Sequence, residues 1–262
     1  AQEQGAWGRA ALTRRKQAVA LTYMFLFFPV SQYFSSILPE TGKESVRTDT
    51  ETVRGAKSGS KTRGNSGTGM NGGNVPGPMV ALTFDDGPDA ESTPLLLDGL
   101  KERNVQATFF VIGENIEKED NWEIIKRMHE EGHEIGNHTY HHADLSKLSY
   151  EDAHKELTMT DELIRDITGE ETSLVRPPFG AFSAALAEEI DKLYVKWTVD
   201  PLDWTTENVD EIVQRVVTDV QENDIILLHD CYETSVEAAF QIIDILQAEG
   251  YEFVTADRLL IE

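Results

Sequence analysis

Histidines concentrate in one short segment of the chain, where their spacing favours a metal site. Four of the seven histidines lie within residues 133–142. His138 and His142 are four residues apart, a spacing that places two imidazoles on one face of a helical turn and suits two ligands of one metal ion. A carboxylate from elsewhere in the chain would be the third ligand. His138 with His141 is an alternative pair, and His133 is interpreted as a structural residue.

Two adjacent carboxylates, Asp85 and Asp86, follow an apolar run and precede a Gly-Pro turn. Adjacent strand residues point to opposite faces, but a turn at the strand end can bring both side chains to one site. One carboxylate can then bind a metal while the other accepts a proton. An ordinary surface turn is the alternative interpretation, since Asp, Gly and Pro are common turn residues. The motif alone does not decide between the two.

Three further polar clusters follow apolar runs. Arg176 cannot lose its proton, so it can hold a nearby aspartate in the ionised form. Trp204 follows Asp203 and is a candidate platform for stacking a sugar ring. His229 ends a strongly apolar run, a suitable position for a general acid. The ordinary alternatives are a surface ion pair, a half-buried tryptophan and a histidine at the edge of the core. The single cysteine, Cys231, is interpreted as a packing residue.

From residue 79 onward, short apolar or β-branched runs alternate with longer amphipathic stretches. The predicted strands are residues 79–84, 107–112, 134–137, 174–176, 194–199, 225–229 and 252–255. The predicted helices are residues 93–103, 116–131, 150–168, 184–192, 209–222 and 235–249. Ser149 with Asp152 resembles a capping box at the start of one helix. This alternation predicts a parallel α/β architecture whose polar clusters lie at the carboxyl ends of the strands.

The chain before residue 79 has a different composition from the rest. Residues 1–17 form a basic tail, and residues 18–38 are apolar over about the thickness of a bilayer core. We interpret the apolar segment as a membrane anchor in preference to a cleaved signal. Residues 39–78 are rich in Gly, Ser and Thr and are predicted to be a flexible linker. Residues 79–262 are the predicted catalytic domain.

The formal net charge of the chain is −24, and the acidic residues lie mainly after residue 78. A domain this acidic repels the phosphates of nucleic acids, so a nucleic-acid partner is not expected. It would tolerate a cationic partner such as a glycan that carries free amines. Solubility is the simpler explanation for the same charge.

The clusters occur in the order TFDDGP, HTYHH, RPPFG, DPLDW and LLH. In this order they resemble the five motifs of the polysaccharide deacetylase family, also called NodB-like or carbohydrate esterase family 4. The resemblance extends from residue 79 to about residue 255. It implies a distorted (β/α)7 barrel, preceded here by the N-terminal apolar helix and a disordered linker.

The resemblance also implies a role for each matching residue. Asp85 would be the catalytic base. Asp86, His138 and His142 would bind a divalent metal, with zinc expected and cobalt, nickel, iron or manganese as alternatives. Arg176 would orient Asp85 and keep it ionised.

The remaining motif residues would bind the substrate or donate a proton. His229 would be the catalytic acid, and Asp203 would tune it. The backbone N–H of Phe179, where many relatives carry tyrosine, would bind the oxyanion. The other substrate contacts would come from Trp204 and Leu227, which line the acetyl pocket, and from Tyr140.

The implied activity is removal of acetyl groups from an N-acetylated polysaccharide outside the cytoplasm, by a monomer that is anchored or secreted. Peptidoglycan is the first substrate expected and a chitin-like glycan the second. An acetylxylan O-esterase of the same family is one alternative. A glycan-binding module without activity is another, and the filled catalytic positions argue against it.

Overall fold

The structure, a computed structural model, describes residues 77–183, 186, 188 and 190–261. The predicted basic tail, the apolar segment and all but the last two residues of the predicted linker lie outside these residues. Four of the nine residues of the helix predicted over residues 184–192 also lie outside them. Among the residues described, no helix is both long and apolar enough to cross a bilayer.

Seven strands form one sheet in the described part of the chain. They are β1 (Met79–Asp85), β2 (Thr108–Val111), β3 (Glu134–Asn137), β4 (Leu174–Val175), β5 (Leu193–Tyr194), β6 (Ile225–His229) and β7 (Glu252–Val254). Their order is β5-β4-β3-β2-β1-β6, and β7 pairs with β1. Every pairing is parallel, as the alternation of strands and helices in the sequence predicts.

The sheet is curled, because the chain just after β5 reaches β6, which lies at the other end of the strand order. Ala81 pairs with Ile225 of β6 and with Val254 of β7, so these two strands lie on opposite sides of β1. After β5 the chain pairs again, where Val199 bridges Ile226 of β6. This bridge joins the two ends of the sheet order and gives a distorted seven-stranded barrel. The predicted barrel fold is confirmed, whereas the apolar helix predicted before it lies outside the described residues.

Helices connect most of the strands. They are α1 (Ser92–Glu102), α2 (Gly113–Ile116), α3 (Asn121–Glu130), α4 (Tyr150–Thr168), α5 (Val209–Asp219), α6 (Glu233–Ala248) and α7 (Ala256–Ile261). At the start of α4, Ser149 Oγ accepts a hydrogen bond from the backbone N–H of Asp152 at 3.2 Å, which confirms the predicted cap.

Three elements differ from the sequence prediction. The helix predicted over residues 116–131 is two helices, α2 and α3, because Glu119 between them has a φ of 45° that an α-helix cannot contain. The strand predicted over residues 194–199 is reduced to β5 and the bridge at Val199. Helix α7 was not predicted.

Alternate side chains of β1 face two different regions. Leu82 and Phe84 join the large apolar cluster that the sheet forms with the surrounding helices. Ala81 joins a smaller cluster made largely of strand residues, which includes Phe110 of β2. Because strand side chains alternate with a period of two, Asp85 lies on the same side as Ala81. The strand therefore directs its last carboxylate to the inner side of the curled sheet.

Candidate active site

The carboxyl ends of four strands bring the predicted polar residues together. Asp85 ends β1 and His229 ends β6, and the two residues are partners in the strand register. His138 follows β3 and Arg176 follows β4. The carboxyl end of the strands is where α/β barrels assemble their active sites.

Asp86, His138 and His142 form a cluster whose ligand atoms all lie within 4.8 Å of one another. Asp86 Oδ1 is 3.4 Å from His138 Nε2 and 3.3 Å from His142 Nε2. This oxygen is buried and has no hydrogen-bond partner. Two imidazoles and one carboxylate with further positions open are the donor set of many catalytic zinc sites.

The protonation of the cluster suits a cation. His138 Nδ1 lies 2.6 Å from the carbonyl oxygen of Arg176 and must donate to it, which leaves Nε2 as a ligand atom. Burial and the neighbouring His138 lower the pKa of His142, so its imidazole is neutral. Burial tends to raise the pKa of Asp86, but its interactions with the nearby imidazoles of His138, His142 and His229 outweigh this effect and lower it.

The histidine segment is a loop rather than the helical turn that the spacing suggested. Thr139 and His142 have positive φ values of 66° and 55°, which a right-handed helix excludes. Glu156 of α4 holds this loop, because its Oε2 accepts the backbone N–H groups of Tyr140 at 3.1 Å and His141 at 2.8 Å. Two imidazoles four residues apart therefore converge through loop geometry.

The other histidines of the segment point elsewhere. His141 Nδ1 lies 2.8 Å from Glu156 Oε1, so the alternative pair of His138 with His141 does not form the cluster. His133 is buried, and its Nδ1 accepts a hydrogen bond from the backbone N–H of Ala107. Burial lowers the pKa of His133 to about 4, so it is neutral. This position agrees with a structural residue.

Asp85 and Arg176 form a buried ion pair beside the cluster. Arg176 Nη1 donates to Asp85 Oδ1 and to Thr83 Oγ1, both at 2.7 Å. Its guanidinium lies over the ring of Phe110, with 4.1 Å from Cζ to the ring centroid. The other oxygen of Asp85 is 3.8 Å from His138 Nε2. Arg176 therefore fixes one carboxylate oxygen and leaves the second facing the metal-ligand cluster.

His229 lies on the other side of the cluster and is paired with Asp203. The Nδ1 of His229 is 2.8 Å from Asp203 Oδ1, and its Nε2 is 3.9 Å from Asp86 Oδ2. Asp203 Oδ2 also accepts from the His229 backbone N–H and from Ser235 Oγ. Burial alone would lower the pKa of His229, but the hydrogen bond and charge of Asp203 raise it to about 9.

The predicted substrate contacts occupy different environments. Phe179 and Trp204 are among the most exposed aromatic side chains in the described residues, and the ring of Phe179 lies 4.9 Å from that of His142. Leu227 is buried in β6, two residues before His229 and on the same side of the strand. The hydroxyl of Tyr140 donates to Glu117.

The turn after β1 is fixed from several directions. Asp86 has a φ of 72°, and its carbonyl accepts a hydrogen bond from Asn115 Nδ2 at 2.7 Å. A Cβ atom added at Gly87 would lie 2.2 Å from Asp230 Oδ2, so only glycine fits there. Backbone strain of this kind persists where the surroundings determine it.

Sequence reasoning missed several residues that support the site. Glu156, Thr83 and Ser235 each contact a predicted site residue through a hydrogen bond. Asn137 Oδ1 accepts the backbone N–H of Thr139 at 2.8 Å and so shapes the histidine loop. Thr83 is the first residue of the TFDDGP motif, but it was given no role there. Glu156, Ser235 and Asn137 stand in none of the five motifs, although Asn137 directly precedes the HTYHH segment.

The fold and the site define a barrel protein with two histidines and one aspartate that could hold a metal ion, flanked by a buried carboxylate and a histidine–aspartate pair. Residues 72–197 match the family described as polysaccharide deacetylase. The chain belongs to the polysaccharide deacetylase family.

Two peptidoglycan deacetylases are among the most similar relatives. The chain is 38% identical over 180 residues to peptidoglycan-N-acetylglucosamine deacetylase PgdA of Listeria monocytogenes, covering 69% of this chain and 38% of that protein. It is 40% identical over 181 residues to peptidoglycan-N-acetylmuramic acid deacetylase PdaC of Bacillus subtilis, again covering 69% and 38%. The matched region thus spans well under half the length of either relative.

Solved structures agree with the fold. The structure of PdaC from Bacillus subtilis superposes with a TM-score of 0.68 at 40% identity, covering 70% of this chain and 90% of that one. A family 4 acetyl xylan esterase from Clostridium thermocellum, solved with a cobalt ion, has a TM-score of 0.66 at 36% identity, covering 69% and 89%.

Proposed function

We propose that this chain is a metal-dependent deacetylase that removes acetyl groups from N-acetylated sugars of a polysaccharide. The observation that carries the proposal is the convergence of Asp86, His138 and His142, with Asp85 on one side and His229 on the other. Hydrolysis of an acetamide needs carbonyl activation, a base for water and an acid for the leaving amine. The site offers a group for each requirement.

Asp86, His138 and His142 would hold the cation, and the unpartnered buried oxygen of Asp86 supports this assignment. When bound, a divalent cation supplies Lewis-acid chemistry, because it polarises the acetyl carbonyl and lowers the pKa of water. We propose zinc as the native ion. The same donor set also accepts cobalt, nickel, iron or manganese.

Asp85 is the proposed base. Its Oδ1 is held by Arg176 and its Oδ2 faces the cluster, so one oxygen is positioned and the other can take a proton from the attacking water. The water oxygen then forms a bond to the acetyl carbon. The backbone N–H of Phe179 is the proposed donor to the carbonyl oxygen, which becomes negatively charged. Such a donor contributes about 2.7–4 kcal/mol in other hydrolases.

His229 is the proposed acid. Asp203 accepts the hydrogen bond of Nδ1, so the other nitrogen, Nε2, faces Asp86 and can deliver its proton to the sugar nitrogen. The C–N bond breaks as the nitrogen is protonated, and acetate and a free amino sugar leave. Asp203 does not touch the substrate in this scheme but keeps His229 protonated and correctly turned.

Further contacts would select the substrate. Leu227 lies on the same side of β6 as His229 and is proposed to contact the acetyl methyl group. The exposed ring of Trp204 is proposed to close the acetyl pocket. Tyr140 is retained as a substrate contact through its ring, because its hydroxyl is already bonded to Glu117.

The proposed substrate is peptidoglycan, with a chitin-like glycan as the second choice. The names of the Listeria and Bacillus relatives support peptidoglycan. Such a substrate lies outside the cytoplasm, so we propose that residues 18–38 anchor the chain at the membrane or direct its secretion. The catalytic domain is proposed to act as a monomer on the glycan, with no nucleic-acid partner.

Acetate release tests the proposal. The purified chain is incubated with zinc and either peptidoglycan or N-acetylglucosamine oligomers, beside an Asp85→Asn variant whose zinc content is measured. We expect release by the wild-type chain and a loss of about 10²- to 10⁴-fold in the variant, the usual contribution of a general base. Equal zinc content in both proteins separates loss of the base from loss of the metal. No acetate from any of these substrates would reject the proposal.

An O-esterase acting on acetylated xylan is the second candidate, supported by the similarity to the Clostridium enzyme. Acetylated xylan therefore belongs in the same substrate panel. Release from xylan without release from amide substrates would favour this candidate. Tight glycan binding without any release, under every metal tried, would instead favour an inactive binding module.

A further inference from the structure

Tyr232 carries an exposed aromatic ring at the edge of the site, and no motif includes it. It is the residue immediately before α6, and its side chain is 42% exposed. Its ring lies edge-on to the ring of His229, with 6.2 Å between the centroids. The ring is therefore adjacent to the proposed acid but retains a large surface in contact with solvent.

A second exposed ring lies next to another imidazole of the site. Phe179, 69% exposed, packs edge-on against His142. His142 approaches Oδ1 of Asp86, whereas His229 approaches Oδ2 of the same carboxylate. The two exposed rings thus stand next to two different imidazoles, each of which approaches the Asp86 carboxylate.

The chemistry of these surfaces fits a sugar chain. In a β-linked N-acetylglucosamine polymer the ring substituents are equatorial, so both faces of each sugar present axial C–H groups. These faces pack on aromatic rings, which bury apolar area with little loss of side-chain entropy. The hydroxyl of Tyr232 can in addition bond to the polar rim of a sugar, which a phenylalanine cannot do.

We infer that Tyr232 binds the sugar next to the one being deacetylated, beside His229, while the ring of Phe179 contacts the chain beside His142. The inference rests on the proposed function and adds a binding residue for a neighbouring sugar of a β-linked glycan chain. Tyr232 would then be a substrate-binding residue whose contribution grows with the length of the substrate.

Chain-length kinetics test this inference. Acetate release from N-acetylglucosamine oligomers of increasing length is measured for the wild-type chain and for Tyr232→Ala, Tyr232→Phe and Tyr150→Ala. Tyr150 is a matched control, since it is also a half-exposed tyrosine, at 41%, but packs on His154 of α4. All three substitutions concern exposed side chains, and circular dichroism verifies folding.

We expect kcat/KM of the wild-type chain to rise with oligomer length and Tyr232→Ala to remove about 3- to 10-fold from the longest oligomers, through KM. The shortest substrate should be nearly unaffected, Tyr232→Phe should keep most of the effect, and Tyr150→Ala should match the wild type. An equal loss at every length would overturn the inference, because Tyr232 would then act through His229. No loss, or no length dependence in the wild type, would also overturn it. A wild-type chain that releases no acetate from any substrate would refute the proposed function instead.

Discussion

The Nη1 atom of Arg176 lies 2.7 Å from Oδ1 of Asp85, and both side chains are almost completely shielded from solvent. The arginine also reaches Thr83 and two backbone carbonyls, of Val195 and Lys196. Such a pair contributes little net stability as a whole, because both charges lose their hydration. The pair instead holds in place the Asp85 carboxylate, which is proposed to activate water.

Removing one partner should therefore damage both fold and activity. Arg176→Met keeps the approximate volume but leaves Asp85 buried without its counter-charge, at a cost of about 3–5 kcal/mol in unfolding free energy. Urea denaturation measures this change. Arg165→Met is the control, because Arg165 is half exposed and comes no closer than 3.9 Å to Asp166. Its substitution should lower the free energy of unfolding by at most about 1 kcal/mol. Similar values for the two variants would contradict a structural role for the buried pair.

The proposed ligand set predicts that substitution of His142 lowers metal affinity far more than substitution of its neighbour His141. His142→Ala removes a proposed ligand, whereas His141→Ala removes a side chain directed at Glu156. Zinc affinity measured by competition with a chelator should fall by at least about 100-fold for the first substitution, since loss of a residue that only hydrogen-bonds to a ligand already costs about 10- to 100-fold. His141→Ala should cost much less. His154→Ala, an exposed histidine on α4, is the control. A larger loss at His141 would restore the alternative ligand pair.

The contact from Glu156 to the histidine loop predicts that a residue outside the motifs tunes the metal site. Glu156→Gln keeps the side-chain length but replaces one acceptor oxygen by an NH₂ group facing a donor. We expect zinc affinity to fall about 10- to 100-fold while the chain stays folded. Glu162→Gln, an exposed position on the same helix, serves as the control. Unchanged affinity would mean that the loop holds its conformation without this carboxylate.

Glu134 begins β3, at the end of the strand away from the candidate site. Its environment predicts that the free energy of unfolding depends on pH. Burial, followed by the charges of Asp257 and Glu170, raises its pKa from 4.5 to about 7. The folded state therefore disfavours the ionised form, and stability is lost as the pH rises through this interval. Glu134→Gln should have little effect at pH 4 and should stabilise the chain at pH 8. The gain should be about 1–2 kcal/mol after allowance for solvent screening.

Thermal denaturation at both pH values checks this sign. Glu171→Gln is the control, because Glu171 is exposed and follows Glu170, whose charge acts on Glu134. A stabilisation that is equal at pH 4 and pH 8, or larger at pH 4, would show that the effect does not come from ionisation of Glu134.

The sequence by itself located most of the strands and identified the residue types of the candidate site. Apolar runs located β1, β2 and β6, since a buried parallel strand needs a continuous apolar stretch. Asp85 and His229 were visible as polar residues at the ends of β1 and β6, and each is followed by a further aspartate. Spacing favoured the pair of His138 with His142 and left His138 with His141 as an alternative. The helical turn expected between His138 and His142 was wrong, since a loop connects them.

Only the tertiary structure decided which groups hold these residues in place. Arg176 and Asp85 are 91 residues apart, and His229 and Asp203 are 26 apart, so their contacts depend on how the sheet curls. Glu156 and Tyr232 belong to a helix face and a helix start that carry no chemical signature. A periodic pattern records which side of an element is buried, whereas the partner across the barrel is fixed by strand order and register, which the pattern does not contain.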